Sequence, residues 1–181
     1  MISRTEYTQI LKETLQYFEK AQIILTEAEV SRLEVADFGL NRIRDLGLQL
    51  IEYVNTERCC AKDLVLLPHQ TCPEHLHPPV GDSPGKEETF RCRYGTVYLY
   101  VPGEAAANPL AFIPEDKKET FTVWHEVVLQ AGEQYTLLPN TLHWFQAGDE
   151  GALISEFSTT STDENDVFTD SSINRTPVIE Q

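Results

Sequence analysis

Thr89-Phe90-Arg91-Cys92-Arg93-Tyr94-Gly95-Thr96-Val97-Tyr98-Leu99-Tyr100-Val101 is a run of β-branched and aromatic residues broken once by glycine, the composition of a strand on a half-buried sheet. Outward from it, residues 48–54 (LQLIEYV), 62–67 (KDLVLL), 120–129 (TFTVWHEVVL), 134–138 (QYTLL) and 152–159 (ALISEFST) repeat that character between Pro, Gly and Asn. Short strands at near-regular spacing predict a mainly β fold, a sandwich or barrel rather than a parallel α/β sheet. Towards the N-terminus the period changes. Between residues 5 and 22, Tyr7, Ile10, Leu11, Leu15 and Phe18 recur at three and four, the stripe of one buried helix face. Thr26 and Glu29 form a capping-box pattern, but Gly39 and the β-branched alternation around it allow only a short helix there. Beyond Thr159 the chain is polar and acidic, then carries Val167, Phe168, Ile173, Pro177, Val178 and Ile179, so a tail packing back on the body is expected. With 181 residues, one domain is the default, since domains run to roughly 100–200 residues. Its expected parts are a helical segment over 1–50, a β-barrel over 51–160 and the tail over 161–181.

Lys and Arg number 14 against 29 Asp and Glu, a net charge of −15. That field repels phosphate backbones and anionic bilayers, so neither nucleic acid nor membrane is expected as a partner. No stretch approaches the roughly 18 apolar residues of a membrane span. Cys59, Cys60, Cys72 and Cys92 contain no C-x-x-C pair and read as the reduced thiols of a cytoplasmic protein.

The chemistry concentrates in Pro73-Glu74-His75-Leu76-His77-Pro78-Pro79 and Pro84-Gly85-Lys86-Glu87-Glu88-Thr89-Phe90. In an extended segment His75 and His77 point the same way and can share one ion. Glu88 heads the long strand, and His143 follows in Leu138-Pro139-Asn140-Thr141-Leu142-His143-Trp144. Three imidazoles and one carboxylate suit manganese, iron, zinc or nickel and leave two octahedral positions open. His69 and His125 read as ordinary hydrogen-bonded side chains. Glu87, next to Glu88, should face the other way. Asp37-Phe38-Gly39 matches a kinase triplet by letters only, with no glycine-rich loop or H-R-D segment.

These residues resemble the two metal motifs of the cupins, small β-barrels of jelly-roll type whose first motif gives two His and a Glu and whose second gives one His. The insert between His77 and Glu88 is longer than the usual cupin spacing and resembles that of one subgroup. Val35-Ala36-Asp37-Phe38-Gly39-Leu40, Tyr53-Val54-Asn55-Thr56-Glu57-Arg58, Cys60-Ala61-Lys62, Gln70-Thr71-Cys72-Pro73-Glu74-His75, Gly85-Lys86-Glu87-Glu88-Thr89-Phe90, Glu156-Phe157-Ser158-Thr159 and Asp166-Val167-Phe168-Thr169-Asp170 together resemble the D-lyxose isomerase family, from about residue 30 onward.

The resemblance implies a manganese-dependent aldose–ketose isomerase acting on D-lyxose and D-xylulose, and usually on D-mannose and D-fructose. Such a reaction moves a proton between C1 and C2 through an enediol. His75, His77, Glu88 and His143 would hold the Mn2+. Lys86 lies two residues before Glu88, on the same face if extended. It is a candidate acid, base or hydrogen-bond donor to the sugar, and a nearby cation would favour its neutral form. Glu156, a carboxylate inside an apolar run, is the candidate base. Asp166 and Asp170 would bind hydroxyls if the tail covers the barrel mouth, and Trp144 and Phe145 suit a wall against the sugar. An iron-dependent cupin dioxygenase and a non-enzymatic sugar-binding cupin are the alternatives. A homodimer is expected, because edge strands need covering.

Overall fold

The computed structural model describes residues 2–176; Pro177, Val178 and Ile179 of the expected tail lie outside the described residues. Helix α1, Arg4–Lys20, starts where the Ser3 hydroxyl accepts the Glu6 N–H at 3.2 Å and ends with Lys20 beside its last carbonyls, where a cation suits the helix dipole. It buries Ile10, Thr14, Tyr17 and Phe18, close to the stripe read from the sequence. Helix α2, Glu27–Val30, is a single turn with the capping box closed in both directions between Thr26 and Glu29. The helical segment stops there rather than near residue 50. Leu33 and Val35 bury one side of an extended segment against α1, and β1, Glu34–Ala36, pairs with β2, Leu48–Asn55.

The strands that follow are β3 (Cys60–Leu66), β4 (Thr71–Leu76), β5 (Glu88–Val101), β6 (His125–Gln130), β7 (Gln134–Leu137), β8 (His143–Ser158) and β9 (Val167–Phe168). All belong to one antiparallel, curled sheet of cupin-like, mainly β architecture, ordered β1-β2-β3-β8-β4-β9, with β5 pairing β6, β7 and β8. β8 is the spine. It pairs β3 through its second half, β4 through its first, and β5 along both.

Two strand expectations need correction. The segment 120–124 is not strand, because the N–H groups of Thr122 and Val123 donate to the buried Glu74 carboxylate at 2.6 and 2.9 Å rather than to a neighbouring ladder. The last long strand begins at His143, not near residue 152, and bends outward over 148–151. At that bend Gly95 and Gly151 face each other with φ of +72° and +75°, and a Cβ on Gly95 would stand 1.9 Å from the Gly151 carbonyl oxygen. A Cβ on Gly151 would stand 2.2 Å from the Tyr17 hydroxyl, so β5, β8 and α1 meet at a contact open only to glycine.

Alternation then sorts the side chains. Leu50, Leu64, Leu66, Phe90, Cys92, Phe145 and Ile154 fill the interior of the curl, while Ile51, Val65 and Leu153 face outward against α1. A third cluster joins Tyr100, Phe121 and Trp144. The tail does pack back: β9 adds to β4, and Phe168 and Ile173 lie on the interior cluster. All four cysteines are free thiols.

Candidate metal centre

The strand β4 and the long ladder between β5 and β8 bring His75, His77, Glu88 and His143 to one end of the curled interior, where all four are buried. His75 and His143 are direct register partners across β4 and β8. One ligand atom from each of the three imidazoles lies within 4.8 Å of the others. Each ring is oriented from behind. The Nδ1–H of His75 donates to the Pro73 carbonyl at 2.7 Å, that of His143 to the Thr141 carbonyl at 2.9 Å, and that of His77 to Asp166 Oδ1 at 2.5 Å. Carbonyl and carboxylate oxygens only accept, so the Nδ1 proton is fixed in all three and the Nε2 atoms face inward.

Glu88 Oε1 lies 3.2 Å from His77 Nε2 and 3.1 Å from His143 Nε2, yet His143 Nε2 has no hydrogen-bond partner among the described residues. With its proton on Nδ1, that nitrogen presents a lone pair to a carboxylate oxygen. Two acceptors this close repel unless a cation lies between them, and three nitrogens with one oxygen suit a divalent first-row metal. Burial, then His143 and His77, hold the His75 pKa well below its ordinary value, the neutral state a ligand needs. Burial opposes charge on His77 too, but Glu88 and Asp166 raise it to about 9, so binding a cation there releases a proton.

Beside this set stands a buried network of opposite charges. Lys86 Nζ lies 2.8 Å from Glu88 Oε2, 2.9 Å from Glu156 Oε1 and 3.8 Å from Asp163 Oδ1. Burial works against its charge, but Glu156, Glu88 and Asp163 reverse that and raise its pKa well above the ordinary value. Among the protein's own groups Lys86 is therefore a held ammonium; the neutral form expected from sequence is the one beside a bound cation. Burial likewise raises the Glu88 carboxyl, yet Lys86 and His77 leave it well below its usual range.

The sequence reading missed three residues of the same cavity. Lys62 donates to Ser161 at 2.8 Å and Asp163 at 2.5 Å; Arg175 pairs with Glu34 and stands 3.6 Å from Asp163; and Asp163 joins both. All three line the cavity together with Phe38, Leu48, Leu50, Leu64, Phe90, Phe145 and Phe168.

Two expected sugar contacts, Trp144 and Asp170, lie away from the cavity. Trp144 follows His143 by one residue on β8 and so faces the opposite side. Its ring stacks on Tyr100 at 4.0 Å, and its Nε1–H donates to the Val123 carbonyl. Asp166 lines the cavity and turns Oδ1 to His77. Asp170 is taken up by Lys117 at 2.6 Å and by Ser172. Phe145, two residues from His143, does line the cavity. Glu87, His69 and His125 are exposed and outside the cluster.

Among the described residues no helix is long and apolar enough to cross a membrane. A D-lyxose isomerase family profile matches residues 5–181, so the resemblance extends further towards the N-terminus than the words that suggested it. The chain is 56% identical to the D-lyxose ketol-isomerase of Thermofilum sp. (strain ex4484_79), over 99% of each chain. It is also 56% identical to the D-lyxose/D-mannose isomerase of Thermosediminibacter oceani, again over 99% of each. In fold it is similar to the Acinetobacter sp. DL28 L-ribose isomerase in complex with L-ribose, with a TM-score of 0.79 at 17% identity, covering 99% of this chain and 98% of that one. Sequence, fold and full-length coverage agree: this chain belongs to the D-lyxose isomerase family of aldose–ketose isomerases.

Proposed function

We propose that the protein interconverts D-lyxose and D-xylulose, and D-mannose and D-fructose, by moving a proton between C1 and C2 through an enediol. The observation that carries this reading is the buried contact between Lys86 and Glu156, 2.9 Å apart, in the same cavity as the converging His75, His77, Glu88 and His143. A Mn2+ ion held by those four would polarise the sugar carbonyl and stabilise negative charge on two adjacent sugar oxygens. Glu156, on the inner face of β8, takes the proton from one carbon and returns it to the next. Lys86 donates a hydrogen bond to a sugar oxygen and orients Glu156. Asp166 fixes the His77 ring from behind. Phe90, Phe145 and the leucines of β2 and β3 keep water from the reacting carbons. Dioxygen activation has no use for a buried carboxylate–ammonium pair beside the donor set, which favours proton transfer over oxygenase chemistry. We read the protein as a cytoplasmic homodimer; exposed Val54 and Phe157 on the outer sheet face fit a covered surface.

The test is to strip the protein with a chelator, add back single divalent ions, and follow D-lyxose to D-xylulose with D-mannose alongside. Restoration by manganese is expected. Absence of ketose under every ion would overturn the sugar assignment, and dioxygen uptake with iron would then favour the oxygenase.

A further inference from the structure

The word Asp37-Phe38-Gly39-Leu40 has no part in the proton chemistry, yet its backbone is unusual. The Leu40 N–H donates to the Asp37 carbonyl at 2.9 Å, and the two residues between have φ of +55° and +72°. That is a turn with two left-handed central residues, a form normally built from Asn-Gly, Asp-Gly or Gly-Gly. Gly39 suits its place. Phe38 does not, because a bulky side chain at positive φ is strained.

Strain of this kind persists only where the surroundings over-determine it, and here they do. The Phe38 carbonyl accepts the Asn174 N–H at 2.9 Å, and a Cβ on Gly39 would come within 3.3 Å of the Asn174 side chain. The tail therefore clamps the turn in place. What the strained backbone delivers is a ring, 2% exposed, in the wall of the sugar cavity. Its centroid lies 5.6 Å from that of Phe168, which in turn lies 5.3 Å from that of His75.

We propose that Phe38 is a specificity-determining residue whose ring closes the cavity one ring beyond His75 and limits how long a sugar the site accepts. This rests on the isomerase reading. With C1 and C2 at the donor set, the remaining carbons run away from it. A pentose and a hexose differ by one hydroxymethyl group at that far end. An aromatic wall offers that group no hydrogen bond, so the room it leaves decides between the two sugars. A residue that merely packed the core would change stability and act on both sugars alike.

The test uses the manganese-loaded protein and three variants. Phe38→Gly removes the ring and suits the left-handed backbone but opens a cavity in the core, so far-ultraviolet circular dichroism first establishes that it folds. It is expected to raise the ratio of kcat/KM for D-mannose over D-lyxose about tenfold. Phe38→Leu leaves the backbone strain as it is, shortens the side chain and is expected to raise the ratio by a smaller factor. Phe38→Trp is expected to lower it. Calorimetric binding of a six-carbon against a five-carbon alditol, which undergo no isomerisation, should move the same way. Unchanged ratios in the folded variants would overturn the role of Phe38 while leaving the isomerase reading standing. A parent protein inactive on both sugars would sink the isomerase reading, and the alditol ratios would still decide whether Phe38 limits length.

Discussion

His75, Glu88, His143 and Glu156 reach the cavity from strands locked into the sheet, whereas Asp163, Asp166, Phe168 and Arg175 reach it from a tail. The sheet residues owe their spacing to ladder register: Glu88 opposes Ser158, Phe90 opposes Glu156, and His75 opposes His143. Among the described residues the tail has a ladder of two register pairs, His75 with Phe168 and Leu76 with Val167. Beyond it, two backbone hydrogen bonds, from Thr169 to Glu74 and from Asn174 to Phe38, are joined by charged and hydroxyl contacts to Lys62, His77, Glu74, Lys117 and Glu34. The difference teaches that one wall of the site has its geometry set by ladder register and the other chiefly by side-chain contacts, many of them charged. Altering one atom of a sheet residue should change chemistry at constant geometry, while altering one charge of the tail should loosen geometry itself.

The sharpest test on the sheet side is Glu156→Gln. It keeps the shape of the side chain and is expected to lower kcat by about 10²–10⁴, the usual loss on removing a positioned base, with metal content by elemental analysis unchanged. A parallel loss of metal would show that Glu156 serves the ion instead. On the tail side, Asp166→Asn removes the charge behind His77 and should weaken metal affinity about 10–100-fold, measured by competition with a chelator at unchanged far-ultraviolet circular dichroism. An unaltered affinity would mean that the strands alone orient the ring.

Acid separates the two walls without mutation. Burial alone would lift the Asp163 carboxyl, but Lys62 and Lys86 hold it far below the usual range, so its folded pKa lies below its unfolded one. Its contribution is complete above the unfolded value of about 3.9 and drains away as pH falls towards the folded value. Amide exchange corrected for intrinsic rates should therefore show residues 161–168 losing protection before β8 as pH drops below that point. Simultaneous loss would erase the distinction between the walls. The smallest effect is expected from Asp170→Asn, which keeps the side chain's shape but turns its buried ionic contact with Lys117 into a neutral one and should cost about 1–2 kcal/mol in thermal unfolding.

How much of this was legible in the sequence follows the same division. Alternation placed His75 with His77, and the strand runs located Glu88. Applied one step further from His143, it would have kept Phe145 in the cavity and sent Trp144 to the opposite face. Lys62 also carried a signal, a cation alternating with Cys60, Leu64 and Leu66 on the buried side of β3. Glu156 could not be counted from His143, because the outward bend at 148–151 breaks the parity of β8. Asp163 and Arg175 had no pattern to betray them. Their segment has almost no periodicity, and their place depends on Lys62 and Glu34, which lie 101 and 141 residues away in the chain.

The hydrogen bond between His77 and Asp166 spans 89 positions of the chain. At about 5–20 residues per second of synthesis, the imidazole is made about 4–18 s before the carboxylate that fixes its tautomer. Strands β5 and β8 and His143 are themselves made within that interval, so the donor set and the carboxylate that orients His77 are completed together, late in synthesis. Slower decoding of the stretch between them would prolong the interval without altering any residue of the finished protein.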